Sequence, residues 1–588
     1  LVLNGGIELD AIFGNKQVSK REYGIIAERN IRIPMSDGIK IVVDVFRPDV
    51  NNKKFPALVA MSAFNKDMQS ARVWPAASRS RRIGGVADAS VEAGPIDFFV
   101  KRGYVYIIGG VRGTGLSGGA YNYLGPKEMR DSYEVVEWAG TQPWCTGNVG
   151  MAGIGYFANH HAAVALMEPP HLKCIAPVSA FWDVYNYFWY SGGILSSGFL
   201  RWFISLANFD CHQDEKIMLK KMGAKGYRDA IAKALEDKDI NADPQLVEAL
   251  KNPDIPTNGT IIDILLQPTW NDYWQDRAIM DYSKIKLPSY IVAAAHRPAA
   301  FYHWSEMKMP KKLLNCPPAY TDRPFYQFAW ELLRWYDYWL KGIDTGIMDE
   351  PNIRLFVQGA NEWLTSDDFP LPQTKFLPFN LHENRSLCEI EPWPEAESAS
   401  YDDFPDNRGS LKYYTAPIVE NTEVAGPILL NLYASCRGTD MNFVVNLLDT
   451  SPEGKETVLT HGFLKASHRE LDRKKSKPWV AMYTHTNPTP LIPGQVYPLS
   501  INLNPAAFLL KAGHRLGLKI ASTDDEPEDL TQVKMGHLSS QTPNTITIYH
   551  DARYPSHLLL PITRGNIIGT YASGGDISLK SKEFMKLE

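Results

Sequence analysis

Near residue 365 the periodicity of the chain changes, and that change constrains the fold more than any other feature. Upstream of it, FPALVAMSAF, YVYIIGGV and SYIVAAA read as short buried strands, SYEVVEWAG and FAWELLRWYDYWLKGID read as helices, and GNVGMAGIGYFANHHAAVAL reads as strand, tight turn and helix. Strands alternating with helices predict a parallel α/β sheet. Ahead of them, IRIPMSDGIKIVVDVFRP places two β-rich runs around Ser36-Asp37-Gly38, a hairpin signal. Downstream, the helical period fades and GPILLNLYAS, FVVNLLDTS, YPLSINLNP and HRLGLKIAS recur between Pro/Gly turns, the pattern of a β-sandwich or jelly roll. Residues 180 to 255 break the α/β alternation with aromatic and then lysine-rich helical segments, expected to lie over the sheet as an inserted cap. The expected units are 1–178, 179–258 (cap), 259–365 and 366–588. The acidic, proline-rich stretch EIEPWPEAESASYDDFPDN is expected to be a surface loop near the junction.

Length agrees with several units: 588 residues at roughly 150 per domain give about three or four. A formal net charge of -5 and a pI near 6.3 leave no global basic field, and the basic runs KKLLN and DRKKSK read as solvated turns, so no nucleic-acid partner is expected. Cys145, Cys174, Cys211, Cys316, Cys388 and Cys436 are scattered without a C-x-x-C, which encodes neither a disulfide framework nor a zinc knuckle and suits a reducing, cytoplasmic setting. The chain opens at Leu1 rather than Met, which leaves room for a removed leader. No apolar run is long enough for a membrane span. There is no H-E-x-x-H, calcium loop or Cys/His cluster, so neither a metal nor another cofactor is expected. Gly113-Thr114-Gly115-Leu116-Ser117-Gly118 fits G-x-G-x-x-G and follows a strand, but no helix opens after it, which argues against a dinucleotide site.

The order RIPMSDGIKIVVDVFRP, VRGTGLSGG, EWAGTQPW, GNVGMAGIGY, LKGID, KASHREL and AGHRLGLKIAS resembles the CocE/NonD hydrolases, the cocaine esterase and X-Pro dipeptidyl-peptidase-like family, over nearly the whole chain. The resemblance implies an α/β-hydrolase domain with an inserted helical cap and a C-terminal jelly roll of the galactose-binding type. It also implies a serine hydrolase, whose chemistry needs a serine on a strand-to-helix elbow, a histidine base, an orienting acid and oxyanion donors. Each position departs from the family pattern. The elbow G-x-S-Y-x-G reads Gly153-Ile154-Gly155-Tyr156-Phe157-Ala158, with Gly155 where the nucleophile would stand. The acid position after SYIVAAA reads His296-Arg297-Pro298, the histidine position falls close to Pro318, and the oxyanion tyrosine of P-Y-x-K is Phe64.

What remains is a pocket with one surviving oxyanion donor, the backbone N–H of Tyr156 at a helix start. Phe181 to Tyr190 holds seven aromatic residues in ten, Trp182, Tyr187 and Trp189 among them, and Phe199, Trp202 and Phe203 follow. That density points to a small apolar or aromatic substrate. His160 and His161 follow the elbow and could move protons; adjacent residues diverge on a helix, so one at most should face the pocket, and His161 is favoured. His296 and Arg297 end a strand where open sheets place their sites, and Arg297 suits an anionic substituent. Tyr302, His303, Tyr320 and Asp322 are further candidates on the same loop. Ser62 and Ser117 stand on no elbow and read as structural. The sequence therefore favours a non-hydrolytic lyase, isomerase or cyclase, with ester or amide hydrolysis and ligand binding without turnover as alternatives. It leaves homo-oligomerisation open.

Overall fold

The computed structural model describes residues 17–64, 66, 92–293, 298–316, 329–524 and 536–565, the side chains of 205–210 excepted. A ten-stranded sheet forms the first body: β1 (Ile25–Pro34), β2 (Lys40–Pro48), β3 (Phe55–Ser62), β4 (Val105–Gly110), β5 (Cys145–Met151), β6 (Leu172–Ile175), β9 (Ser289–Ala293), β10 (Lys311–Asn315), β11 (Ile353–Val357) and β12 (Glu362–Ser366), in the order β1-β2-β4-β3-β5-β6-β9-β10-β11-β12. Neighbours from β4 to β11 are parallel; the amino-terminal hairpin and β12 add antiparallel edges. The central strands are apolar along their whole length, with every residue of β3, β4 and β9 buried, because helices cover both faces. Among those helices are α1 (Ile96–Val100), α2 (Pro126–Thr141), α3 (Tyr156–Leu166) and, late in the chain, α11 (Ala329–Lys341). This is the expected α/β-hydrolase architecture.

The cap is mixed rather than purely helical. It opens with a π-helical turn (Tyr185–Trp189) and a small hairpin, β7 (Tyr190–Ser191) and β8 (Ile194–Leu195). Helices α4 (Ser197–Asp210), α5 (Ile217–Glu236), α6 (Lys238–Asn241), α7 (Pro244–Lys251), α8 (Gly259–Leu265) and α9 (Asp272–Gln275) follow, so helical structure runs past residue 258 and α8 packs on α5 and α7. Asp263 in α8 ties these helices together, accepting from the free N–H groups of Ile217 and Met218 at the start of α5 (2.7 and 2.9 Å). After β9, α10 (Ala299–Tyr302) leads to β10.

The C-terminal body is an antiparallel jelly-roll sheet of twelve strands with its own apolar core. Its longest pair, Thr422–Cys436 with Tyr497–Leu510, keeps register over most of its length. One expectation is corrected here. Ser398–Phe404, inside the supposed acidic loop, is a strand with Ala399, Tyr401 and Asp403 turned inward, and Arg408 neutralises buried Asp403 at 2.5 Å. Among the described residues no helix is long and apolar enough to cross a membrane.

Candidate active site at the elbow

The turn between β5 and α3 has the shape a nucleophile elbow requires. Gly155, the residue before α3, sits at φ 58° and ψ -112°, a strained region that residues other than glycine enter only when the surroundings impose it. Its N–H donates to the Val178 carbonyl (2.9 Å), which fixes the turn to the next strand segment. The two elbow glycines have different reasons. A Cβ on Gly153 would sit 2.3 Å from Cβ of Phe157, so close helix-on-strand packing demands glycine there; a Cβ on Gly155 would meet nothing within 4 Å. Among the described residues the space at this position is therefore open, and what favours glycine there is the backbone conformation and not crowding.

Tyr156 starts α3, and its backbone N–H donates to no group among the described residues. With no acceptor among the described residues, it suits an incoming oxyanion, favoured further by the positive end of the helix dipole. Phe64, the expected position of a second donor, supplies none. The ring of Phe64, at the end of β3, cannot donate, and its backbone N–H is already given to Ser62 Oγ (3.0 Å). Ser117 is likewise engaged, accepting from Val42 N–H (2.9 Å) and donating to the Gly110 carbonyl (2.8 Å). The glycine-rich loop it belongs to is pinned by Arg112, which grips Asp131 of α2 through two bonds of 2.7 and 2.6 Å; no helix opens before Pro126. Ser62 and Ser117 are structural and the loop is no phosphate cradle.

Around the elbow six aromatic rings close a circuit. Phe64 meets Tyr156 at 5.7 Å and Trp202 at 5.8 Å, Trp202 meets Phe199 at 4.9 Å, Phe199 meets Trp189 at 5.5 Å, and Tyr123 joins Trp189 (5.7 Å) back to Tyr156 (5.8 Å). Most of these are edge or tilted contacts, each contributing about 0.5–1.5 kcal/mol beyond area burial. Phe199 and Trp202 keep partial exposure.

Behind this front lies a polar network. Glu128, fully buried in the first turn of α2, accepts from the Tyr156 hydroxyl (2.8 Å), from Leu124 N–H (3.1 Å) and from His160 Nε2 (2.7 Å), and the Tyr121 hydroxyl lies 3.0 Å from that of Tyr156. Burial first, and Glu128 second, push the Tyr156 phenol well above its ordinary range, so it stays protonated and donates. His161, beside His160 on the helix, is completely buried, and neither ring nitrogen makes a hydrogen bond. Burial, and then the neighbouring His160, hold it down to about 3, so it is neutral across the physiological range. The two histidines do diverge, but His160 is the one with a polar partner, and both rings are sealed from solvent.

The other expected residues fall in a second cluster. Trp182 packs on Tyr282 (5.7 Å), Tyr282 stacks on His303 (4.1 Å), His303 Nδ1 lies 2.9 Å from Glu306, and Tyr187 meets Tyr302 (6.4 Å). Tyr302 donates to the Leu503 carbonyl (3.3 Å) and so faces the C-terminal domain. Of the remaining candidates, His296, Arg297, Pro318, Tyr320 and Asp322 lie outside the described residues. A cavity of about 490 Å³ beside Tyr338, Trp339, Asp344 and Asp349 contains no elbow residue. Among the described residues no group of three or more His, Cys, Asp or Glu is placed to hold a metal. The sequence reading missed Glu128, Tyr121 and Tyr123.

Comparison with known proteins agrees with this geometry. The family profile of the X-Pro dipeptidyl-peptidase (S15 family) matches residues 37–317, and that of the X-Pro dipeptidyl-peptidase C-terminal non-catalytic domain matches 345–559. Cocaine esterase of Rhodococcus sp. is 24% identical, with 91% of this chain and 98% of that protein covered. Among solved structures, a CocE/NonD family hydrolase from Staphylococcus aureus superposes with a TM-score of 0.73 at 24% identity, covering 92% of this chain and 94% of that one. An α-amino acid ester hydrolase gives 0.70 at 17% identity, covering 95% and 100%.

Proposed function

The chain belongs to the CocE/NonD, X-Pro dipeptidyl-peptidase-like family, and from that premise we propose that it is an enzyme working at the family's elbow without the family's acyl-enzyme step. One observation carries the reading: at Gly155 the elbow backbone and the space over it are kept while the hydroxyl is gone. An unpaired Tyr156 N–H beside a circuit of aromatic rings suits a small apolar or aromatic carbonyl compound whose negative oxygen, an enolate or a related oxyanion, rests on that donor. The chemistry would be acid/base: proton abstraction next to the carbonyl, followed by elimination, isomerisation or ring closure. His296, directly after β9, is the candidate base, and Arg297 the candidate partner for an anionic substituent; both assignments rest on sequence position.

Hydrolysis is the second reading. The names of the similar proteins favour it, as does the open volume at Gly155, where a water could stand in place of the serine hydroxyl.

Incubation with a panel of aryl esters and aromatic carbonyl compounds in ¹⁸O-enriched water, followed by mass analysis, separates the readings. A product of the substrate's mass, or fragments summing to it without label, is expected. Label in a carboxylic acid product would establish hydrolysis instead, and a ligand bound but returned unchanged would leave a binding protein.

A further inference from the structure

The seam between cap and C-terminal domain is made at close range. The cap hairpin turns at Gly192 and Gly193; Lys465 N–H donates to the Gly192 carbonyl (2.8 Å), and a Cβ on Gly193 would fall 2.5 Å from the ring of His468. His468 is the central residue of the KASHREL segment, a motif for which the elbow chemistry has no use. Its Nδ1 lies 3.0 Å from Nδ1 of His485, and both residues are buried, at 6% and 2% exposure. His485 in turn touches the cap twice: its carbonyl accepts from Trp270 N–H (3.0 Å), and its ring lies 5.3 Å from that of Tyr185.

With both rings neutral this contact needs opposite tautomers. One Nδ1 carries a hydrogen and donates it, and the other must be bare to accept. A proton added at the bare nitrogen sets N–H against N–H; one added at Nε2 of His485 is buried with no acceptor. A carboxylate beside the turn, Asp440, accepts from Ser467 N–H (2.9 Å) and faces Lys465 at 4.0 Å. Lys465, on the strand leading into the turn, is a cation; Tyr483 from the C-terminal domain and Tyr185 and Tyr190 from the cap are phenols kept protonated by burial. Neither ring has a carboxylate within salt-bridge distance among the described residues, and no third ligand there makes the pair a metal site.

We propose that the His468–His485 pair is an acid-sensitive latch: while neutral it holds the cap hairpin and the Trp270 loop on the C-terminal domain, and protonation releases them. Burial, then Lys465, hold His468 down to about 4, and burial, then His468, hold His485 well below its ordinary range. Opening the seam returns both rings to water, where histidine titrates near 6.5. The open state therefore binds more protons, and closure is complete above that value and weakens as pH falls towards 4. For His468 alone the open state gains about 30-fold at pH 5 relative to pH 8, and His485 multiplies this by a comparable factor or more.

Hydrogen exchange of the full chain, read by mass spectrometry at pH 8 and pH 5 and corrected for intrinsic rates, tests the latch. Peptides spanning 185–195, 268–274 and 463–485 are expected to lose at least about 30-fold of their protection at pH 5, while the core strand Thr422–Cys436 keeps its own. A His468→Gln, His485→Gln double variant should lose most of that pH dependence. Seam protection equal at the two pH values, a loss shared equally by Thr422–Cys436, or an unchanged pH dependence in the double variant would each overturn the proposal. If the variant fails to fold, the wild-type comparison decides alone.

Discussion

Tyr156 belongs to two regions at once. Its backbone N–H has no acceptor among the described residues, and its hydroxyl ends in the Glu128 network behind it. Among the described residues the front region has shape without side-chain chemistry: a strained glycine, an apolar Phe64 and open space. The rear region has chemistry without access: a carboxylate, two phenols and an imidazole joined by hydrogen bonds and buried. A catalytic site needs both properties in one place. Their separation indicates that the rear network serves to hold α3, and so the Tyr156 N–H, in position.

If that division is right, changes behind the elbow cost more stability than changes in front of it. The largest effect is expected for Glu128→Ala, which strands the Tyr156 hydroxyl and the His160 ring; losing one partner of a buried pair costs about 3–5 kcal/mol, read by urea unfolding. Glu128→Gln keeps a hydrogen-bonding oxygen and should cost about 1–3 kcal/mol. Should both leave stability unchanged, the network is no strut.

His161 sharpens the comparison through pH. Its titration is depressed to about 3 in the fold, so the wild type keeps full stability from this residue above 6.5 and loses it as pH falls towards 3. His161→Leu should therefore change little at pH 8 and recover up to about 3 kcal/mol relative to wild type at pH 4. The check is denaturant unfolding at the two pH values; a gain of equal size at both would mean packing, not protonation.

The smallest effect belongs to the front. Gly155→Ser introduces a side chain into open space, and the backbone, already at φ 58°, charges about 1–2 kcal/mol for it. With Phe64 unable to donate and no family base nearby in sequence, the variant should fold and still show no turnover of p-nitrophenyl esters in a spectrophotometric assay. Ester turnover by this variant would show that the rest of a hydrolytic site survives.

The fold was largely legible because its signals are local. Alternation of buried strands and helices before residue 365, and of apolar and polar residues after it, announced both bodies, and the elbow glycines marked the turn. Ser398–Phe404 escaped because an inward Asp403 interrupts the alternation, and only its partner Arg408 makes that inward turn tolerable. Glu128 escaped for a related reason: behind Pro126 it reads as an ordinary first-turn acid, and its contact with His160 joins residues 32 apart. The His468–His485 contact has no spacing rule either, since it depends on how a turn and a loop of the C-terminal domain meet under the cap.

The central claim is that this elbow carries no acyl-enzyme nucleophile. The most direct test is the intact mass of the full-length protein after incubation with a fluorophosphonate, a reagent that marks activated serines covalently. The protein is expected to keep its mass, as Gly155 and the engaged hydroxyls of Ser62 and Ser117 require. A stoichiometric phosphonyl adduct would contradict the claim and return the chain to its serine-hydrolase relatives.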